Sequence, residues 1–202
     1  MIKINQELKK IKDDVINCRK CDLYKDRFAN KYSPVVGEGN HQAKIIFVGE
    51  APGLQEAKTG RPFCGTAGKI LDELLESIGL KREEVYICNI LKCRPPGNRN
   101  PQKEEIEACV PYLERQIEII KPEVICSLGN YSTAFIMKKY GLKDQIQGIS
   151  KIRGKIFQSK SLFENIEIIP LYHPAVVTYN SNMREILKKD FQILKKFKGH
   201  EK

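Results

Sequence analysis

Residues 44–53 read KIIFVGEAPG: four apolar residues, Ile45 to Val48, run into Gly49 and then into a turn that holds Pro52 and Gly53. A short continuous apolar run closed by turn residues is how a parallel strand buried on both faces reads, because helices cover both sides of such a sheet. Downstream, TAGKILDELLESIGL (66–80) puts Ile70, Leu71, Leu74, Leu75 and Ile78 on one helical face and stops at Gly79. The unit then repeats. VYICNI (85–90) predicts a second strand, PQKEEIEACVPYLERQIEIIK (101–121) a helix kinked near Pro111, and EVICSLG (123–129) a third strand. A helix over Tyr131–Tyr140, a weaker strand over Lys155–Gln158, the strand IEIIPLYH (166–173) and a basic amphipathic helix from about Arg184 complete the series. Upstream, Leu8, Ile11 and Val15 space a helix over Asn5–Val15 with Asn5 as its cap, whereas residues 22–43 read as a long irregular loop. The alternation predicts an α/β fold: three α/β/α layers around a short, mostly parallel central sheet, with functional loops at the carboxyl ends of the strands.

A chain of 202 residues suits one domain spanning 1–202. Its 41% hydrophobic and 30% charged content fits a globular chain and excludes disorder and coiled coil. No run approaches the ~18 apolar residues of a membrane span. The start, MIKINQELKKIKDD, lacks the apolar core of a secretory signal, so a cytosolic location is expected. The net charge of +10 points to a polyanionic partner such as nucleic acid, although Lys188, Lys189, Lys195, Lys196 and Lys198 equally suit a solvated helix face.

Seven cysteines, an odd number, argue for metal ligation over a disulfide framework. Cys18 and Cys21 form a C-x2-C pair, Cys93 follows the second predicted strand, and Cys109 lies in the next helix. Four thiolates can hold an iron–sulfur cluster or a tetrahedral zinc, and spacing alone does not choose the two partners of the close pair. Cys64, Cys88 and Cys126 read as small buried thiols, the last two inside apolar strands. The glycine-rich loop after the first strand fails the phosphate-loop pattern, because Gly60 to Gly65 is followed by Thr66 and not by lysine.

Taken in order, CRKC (18–21), GEAPG (49–53), LQEAKTGRPFCG (54–65), NILKCRPPGNRNP (89–101) and YHPAVV (172–177) resemble the family 4, iron–sulfur uracil-DNA glycosylases, and the likeness runs through the C-terminal helix. The resemblance implies a [4Fe-4S] cluster on Cys18, Cys21, Cys93 and Cys109 that staples a loop region formed by 18–34 and 91–109. It implies a uracil pocket with Glu50, Ala51 and Pro52 beside the base and the glycosidic bond, where Glu50 activates water or stabilises the sugar cation. Phe63 matches the aromatic on which the everted base stacks, a contact worth about 1 to 3 kcal/mol. Glu56 matches an acidic position that bears on exclusion of the thymine methyl. His173 matches the group aimed at uracil O2, where charge develops as the base leaves. Asn89 can donate to O4 and accept from N3–H of uracil, a pattern that cytosine reverses.

The implied activity is release of uracil from single- or double-stranded DNA by a monomeric, monofunctional hydrolase. After HPA the family often continues with leucines and an arginine, whereas this chain has Val176, Val177, Thr178 and Tyr179, which leaves Tyr179 and Met183 as duplex wedges. His41 and His200, in loop and tail, carry no such role. Two rival readings use the same residues: a non-catalytic nucleic-acid-binding module with a four-cysteine zinc, and a glycosylase for another deaminated base.

Overall fold

A computed structural model describes residues 2–159 and 165–198; His200 lies outside them. In chain order the elements are α1 (Ile2–Ile16), α2 (Leu23–Ala29), β1 (Glu38–Gly39), β2 (Ile45–Gly49), α3 (Leu54–Thr59), α4 (Thr66–Ser77), β3 (Tyr86–Asn89) and α5 (Lys103–Ile120). They continue with β4 (Val124–Leu128), α6 (Gly129–Lys139), α7 (Ile149–Ile152), β5 (Phe157–Gln158), β6 (Glu167–Leu171), α8 (Val176–Tyr179) and α9 (Met183–Phe191). The sheet runs β1-β3-β2-β4-β6-β5; its four inner strands are parallel and its two edge strands antiparallel.

Alternation along β2 divides the core into the two layers expected. Ile46 and Val48 face a cluster that takes in Leu8, Ile11 and Val15 of α1 and Leu113 and Ile117 of α5. Ile45 and Phe47 face the opposite cluster, with Ile70, Leu71, Leu74 and Leu75 of α4 and Leu187 and Phe191 of α9. Successive strand side chains point to opposite faces, so one five-residue strand serves both layers. Cys88 and Cys126 are buried inside β3 and β4 as expected, whereas Cys64 is half-buried, its sulfur 3.1 Å from the Thr59 hydroxyl.

Three local expectations change. α1 begins at Ile2, so Asn5 lies inside the helix instead of capping it, and its side-chain oxygen meets Nδ1 of His41 at 2.6 Å. The stretch 22–43 is not all loop. α2 forms there because Leu23 and Arg27, one turn apart, both bury. Arg27 donates to the carbonyl of Ile16 at 2.8 Å and of Cys18 at 2.9 Å, closing the carboxyl end of α1 onto the C-x2-C pair. Finally, α5 runs unbroken past Pro111. Pro111 and Glu107 are both exposed, so the carbonyl that the proline leaves unpaired faces water. Among the described residues no helix is long and apolar enough to cross a membrane.

Candidate active site

Three strands deliver their carboxyl ends to one edge. Gly49 and Asn89 are the last residues of β2 and β3 and stand opposite each other in the parallel register. The chain leaving them is stitched together: Ile90 N–H donates to Gly49 O and Leu91 N–H to Glu50 O, each at 3.0 Å. β6 ends at Leu171, two residues before His173. The loops enclose a cavity of about 620 Å³ lined by Glu50, Ala51, Pro52, Glu56, Phe63, Asn89 and His173. All seven residues singled out from the sequence for the base therefore share one space.

Its floor depends on a missing side chain. A Cβ on Gly49 would sit 2.8 Å from Cζ of Phe63 and would collide with Oδ1 of Asn89. Glycine lets ring and amide approach over the strand end. Phe63 itself adopts φ of +47°, a left-handed conformation that costs an ordinary side chain on the order of 1 kcal/mol. Its carbonyl is packed where a side chain on Gly68, in the first turn of α4, would fall. The strained residue is thus clamped from both sides. Its ring lies 5.5 Å from the His173 imidazole, centroid to centroid, with 31° between planes.

The electrostatics assign protonation states. Burial pushes His173 down to about 4, against a partly opposing pull from Glu56, so the imidazole is neutral near pH 7. The Ala175 N–H donates to Nδ1 at 3.2 Å, which makes Nδ1 the acceptor and puts the ring proton on Nε2. Burial also pushes the Glu50 carboxyl above its ordinary value, which makes its carboxylate a stronger base. Glu56 accepts the Gly65 N–H at 3.2 Å through Oε1, pinning its carboxylate between α3 and the start of α4.

Below this cavity, Cys18, Cys21, Cys93 and Cys109 line a second one together with Lys92 and Tyr112. Burial pushes Cys93 up to about 12 and Cys109 up to about 11, and raises Cys21 as well; neighbouring members of the four add to each rise. Thiols such as Cys21, Cys93 and Cys109, which hold their protons through burial and the nearby sulfurs, give them up when a cation takes the protons' place. Among the described residues no three His, Cys, Asp or Glu side chains are disposed about a single ion. Four thiols that line one space are nonetheless the donor set that an iron–sulfur cluster or a zinc would use.

The cavity wall also holds residues that the sequence reading passed over. Pro95, Asn98, Arg99 and Asn100 form one side. Arg99 makes paired bonds to Glu105, at 2.9 and 2.5 Å, and Glu105 also accepts the Gln102 N–H at 2.8 Å, tying this wall to the first turn of α5. The sequence signal was the basic PPGNR run with an acidic residue one turn inside the following helix. Tyr179 reaches the mouth and is 91% exposed, while Met183 is half-buried and packs against the core.

Comparison with known proteins follows the same outline. The sequence profile of the Uracil DNA glycosylase superfamily matches residues 36–196. A type-4 uracil-DNA glycosylase of Sulfurisphaera tokodaii is 49% identical over 92% of this chain and 82% of its own length. One of Archaeoglobus fulgidus is 46% identical over 93% of this chain and 91% of its own. One of Saccharolobus solfataricus is 47% identical over 92% and 83%.

Proposed function

The chain belongs to the type-4 uracil-DNA glycosylases of the uracil DNA glycosylase superfamily, and from that premise we propose that the cavity at the carboxyl edge of its sheet hydrolyses the N-glycosidic bond of deoxyuridine in DNA. The products are free uracil and an abasic site. The observation that carries the reading is the meeting of an aromatic ring, an amide and a neutral imidazole, Phe63, Asn89 and His173, in one cavity.

A deoxyuridine turned out of the stack lies with its ring on Phe63, and stacking offsets part of the cost of leaving the helix. The Asn89 amide donates to O4 and accepts from N3–H. As the bond from N1 to C1′ breaks, its electron pair goes to the base, and charge accumulates at O2. The Nε2–H of His173 donates there, an interaction stronger in the transition state than in the ground state. An imidazolium would put a full charge into the site; a neutral donor stabilises the anion without first protonating it. The Glu50 carboxylate faces the positive charge growing at C1′ and orients the water whose oxygen forms the new bond. The water gives up one proton to solvent as its oxygen bonds to C1′, and solvent delivers one to the uracil anion.

Among the described residues that line the cavity none is lysine, so the amine that strand-cutting glycosylases use as a nucleophile is missing. The enzyme is monofunctional and leaves the strand intact. Cys18, Cys21, Cys93 and Cys109 fit a [4Fe-4S] cluster whose part, when bound, is to order the two loop segments and not to exchange electrons with the substrate.

The test is incubation of the anaerobically purified protein with oligonucleotides bearing uracil, hypoxanthine or xanthine, followed by alkali. Cleavage at uracil above the other two supports the reading; cleavage only at another base would replace the substrate, and no cleavage would remove the activity.

A further inference from the structure

Lys92 stands between the two cavities. Its side chain is among the most completely buried in the protein. Taking an ammonium out of water is unfavourable unless acceptors replace the lost hydration, and an aliphatic side chain would fill the same space without that cost. The amine is therefore kept for what it holds. Nζ donates to the backbone carbonyl of Asn89 at 2.8 Å and to Oε1 of Gln116 at 2.7 Å. Gln116, also buried, is oriented in turn by donating through Nε2 to Val36 O and to the Tyr86 hydroxyl, both at 2.9 Å. The Lys92 main chain is pinned from below, where its N–H donates to Sγ of Cys109 at 3.3 Å.

Asn89 is the last residue of β3. In the peptide that follows it, the Ile90 N–H is held by Gly49 O at 3.0 Å, while the Asn89 carbonyl on the other side points away from β2 and is left to Lys92. The bond from Lys92 back to that carbonyl closes a ring across three residues and locks the peptide plane.

We propose that Lys92 is a positioning residue for base recognition: its buried Nζ, anchored on Gln116, holds the Asn89 amide in the orientation that reads uracil. This rests on the function proposed above. It also explains how order at the four-cysteine site reaches the base pocket, since the residue next to Cys93 and bonded to Cys109 is the one that holds Asn89.

The experiment is a double-mutant cycle. Lys92→Met in the otherwise unaltered protein is expected to slow single-turnover uracil release on the order of 10- to 100-fold, the cost of misplacing a recognition group. It should also narrow the binding preference for an oligonucleotide with a non-hydrolysable deoxyuridine analogue over one with deoxycytidine. In an Asn89→Ala background the same change should have less than about a twofold further effect, whereas in a His173→Ala background it should keep its full size. A full effect in the Asn89→Ala background, or an unaltered rate and preference for Lys92→Met, overturns the role. If Lys92→Met does not fold, Lys92→Gln, which retains a donor for the Asn89 carbonyl, goes through the same cycle, with a smaller loss expected and the same overturning result. A parent protein that releases no uracil removes the proposed function and this role with it; an active parent with a silent Lys92 substitution removes the role alone.

Discussion

The backbone N–H of Ala175 donates to Nδ1 of His173 at 3.2 Å, so a residue two positions along the chain fixes which nitrogen of the imidazole carries its proton. Burial keeps that ring neutral down to about pH 4, and the remaining N–H on Nε2 is free to meet an anion.

The pH dependence follows from the two shifted groups. Glu50 must be ionised and titrates above its ordinary 4.5, whereas His173 stays neutral until about 4. Single-turnover rate should therefore fall on the acid side as Glu50 takes up a proton, an inflection that Glu50→Gln removes and His173→Ala leaves in place. His173→Ala should lower the rate about 10²- to 10³-fold with little change in DNA affinity; a defect in binding alone would contradict the leaving-group role. For stability, the unfolded chain protonates His173 near 6.5 while the native chain does not until about 4. Its contribution is thus complete above 6.5 and is lost as pH falls toward 4, a slope that chemical unfolding should find reduced in His173→Ala.

Gly49→Ala should fold with its cysteine site intact and yet lose activity. The added methyl would meet the Phe63 ring and the Asn89 amide, and overpacking of this kind costs about 1 to 3 kcal/mol. A displacement of either group by a few tenths of an ångström is enough to slow uracil release by roughly 10²-fold in single-turnover kinetics. Unchanged turnover would mean that ring and amide do not act together.

Cys93→Ala should yield protein poor in iron and sulfide by chemical analysis. Its thermal midpoint should fall by roughly 5 to 10 °C, because segments held by the site regain backbone freedom worth about 1 to 2 kcal/mol per residue. Cys64→Ala, at a half-buried sulfur 3.1 Å from Thr59 Oγ1, should change neither iron content nor midpoint appreciably.

Tyr179→Ala should slow release from double-stranded DNA by about tenfold while sparing single-stranded DNA. An exposed ring at the cavity mouth can fill the gap left in a duplex, and a single strand has no gap to fill. An equal loss on both substrates would assign Tyr179 to base binding.

Much of the fold was legible because its signals are local. The apolar run of β2 and the spacing of Ile70, Leu71, Leu74 and Leu75 depend on nothing distant. α2 was hidden because half of its buried face is an arginine whose partners, the carbonyls of Ile16 and Cys18, belong to another helix end. Pro111 misled because the cost of a proline depends on whether its orphaned carbonyl meets water, which burial decides and sequence does not display. In the candidate site, Glu50, Asn89 and His173 could be singled out because they stand at the ends of predicted strands in the motifs GEAPG, NILKC and YHPAVV, which carry the family resemblance. Lys92 could not: in a chain with 35 lysines and arginines, nothing in its type marks the one that is buried. The positive φ of Phe63 and its clamp on Gly68 are likewise products of tertiary packing.

The central claim is that this cavity expels uracil as a stabilised anion and lets water, not a protein amine, take its place. The most direct measurement is a rapid-quench, single-turnover reaction on a uracil-bearing oligonucleotide, with free base and strand products counted by mass spectrometry in the presence of borohydride. The account predicts one free uracil for each abasic strand, with the strand unbroken and no protein attached. Absence of free uracil, or stoichiometric trapping of protein on the strand, would contradict it.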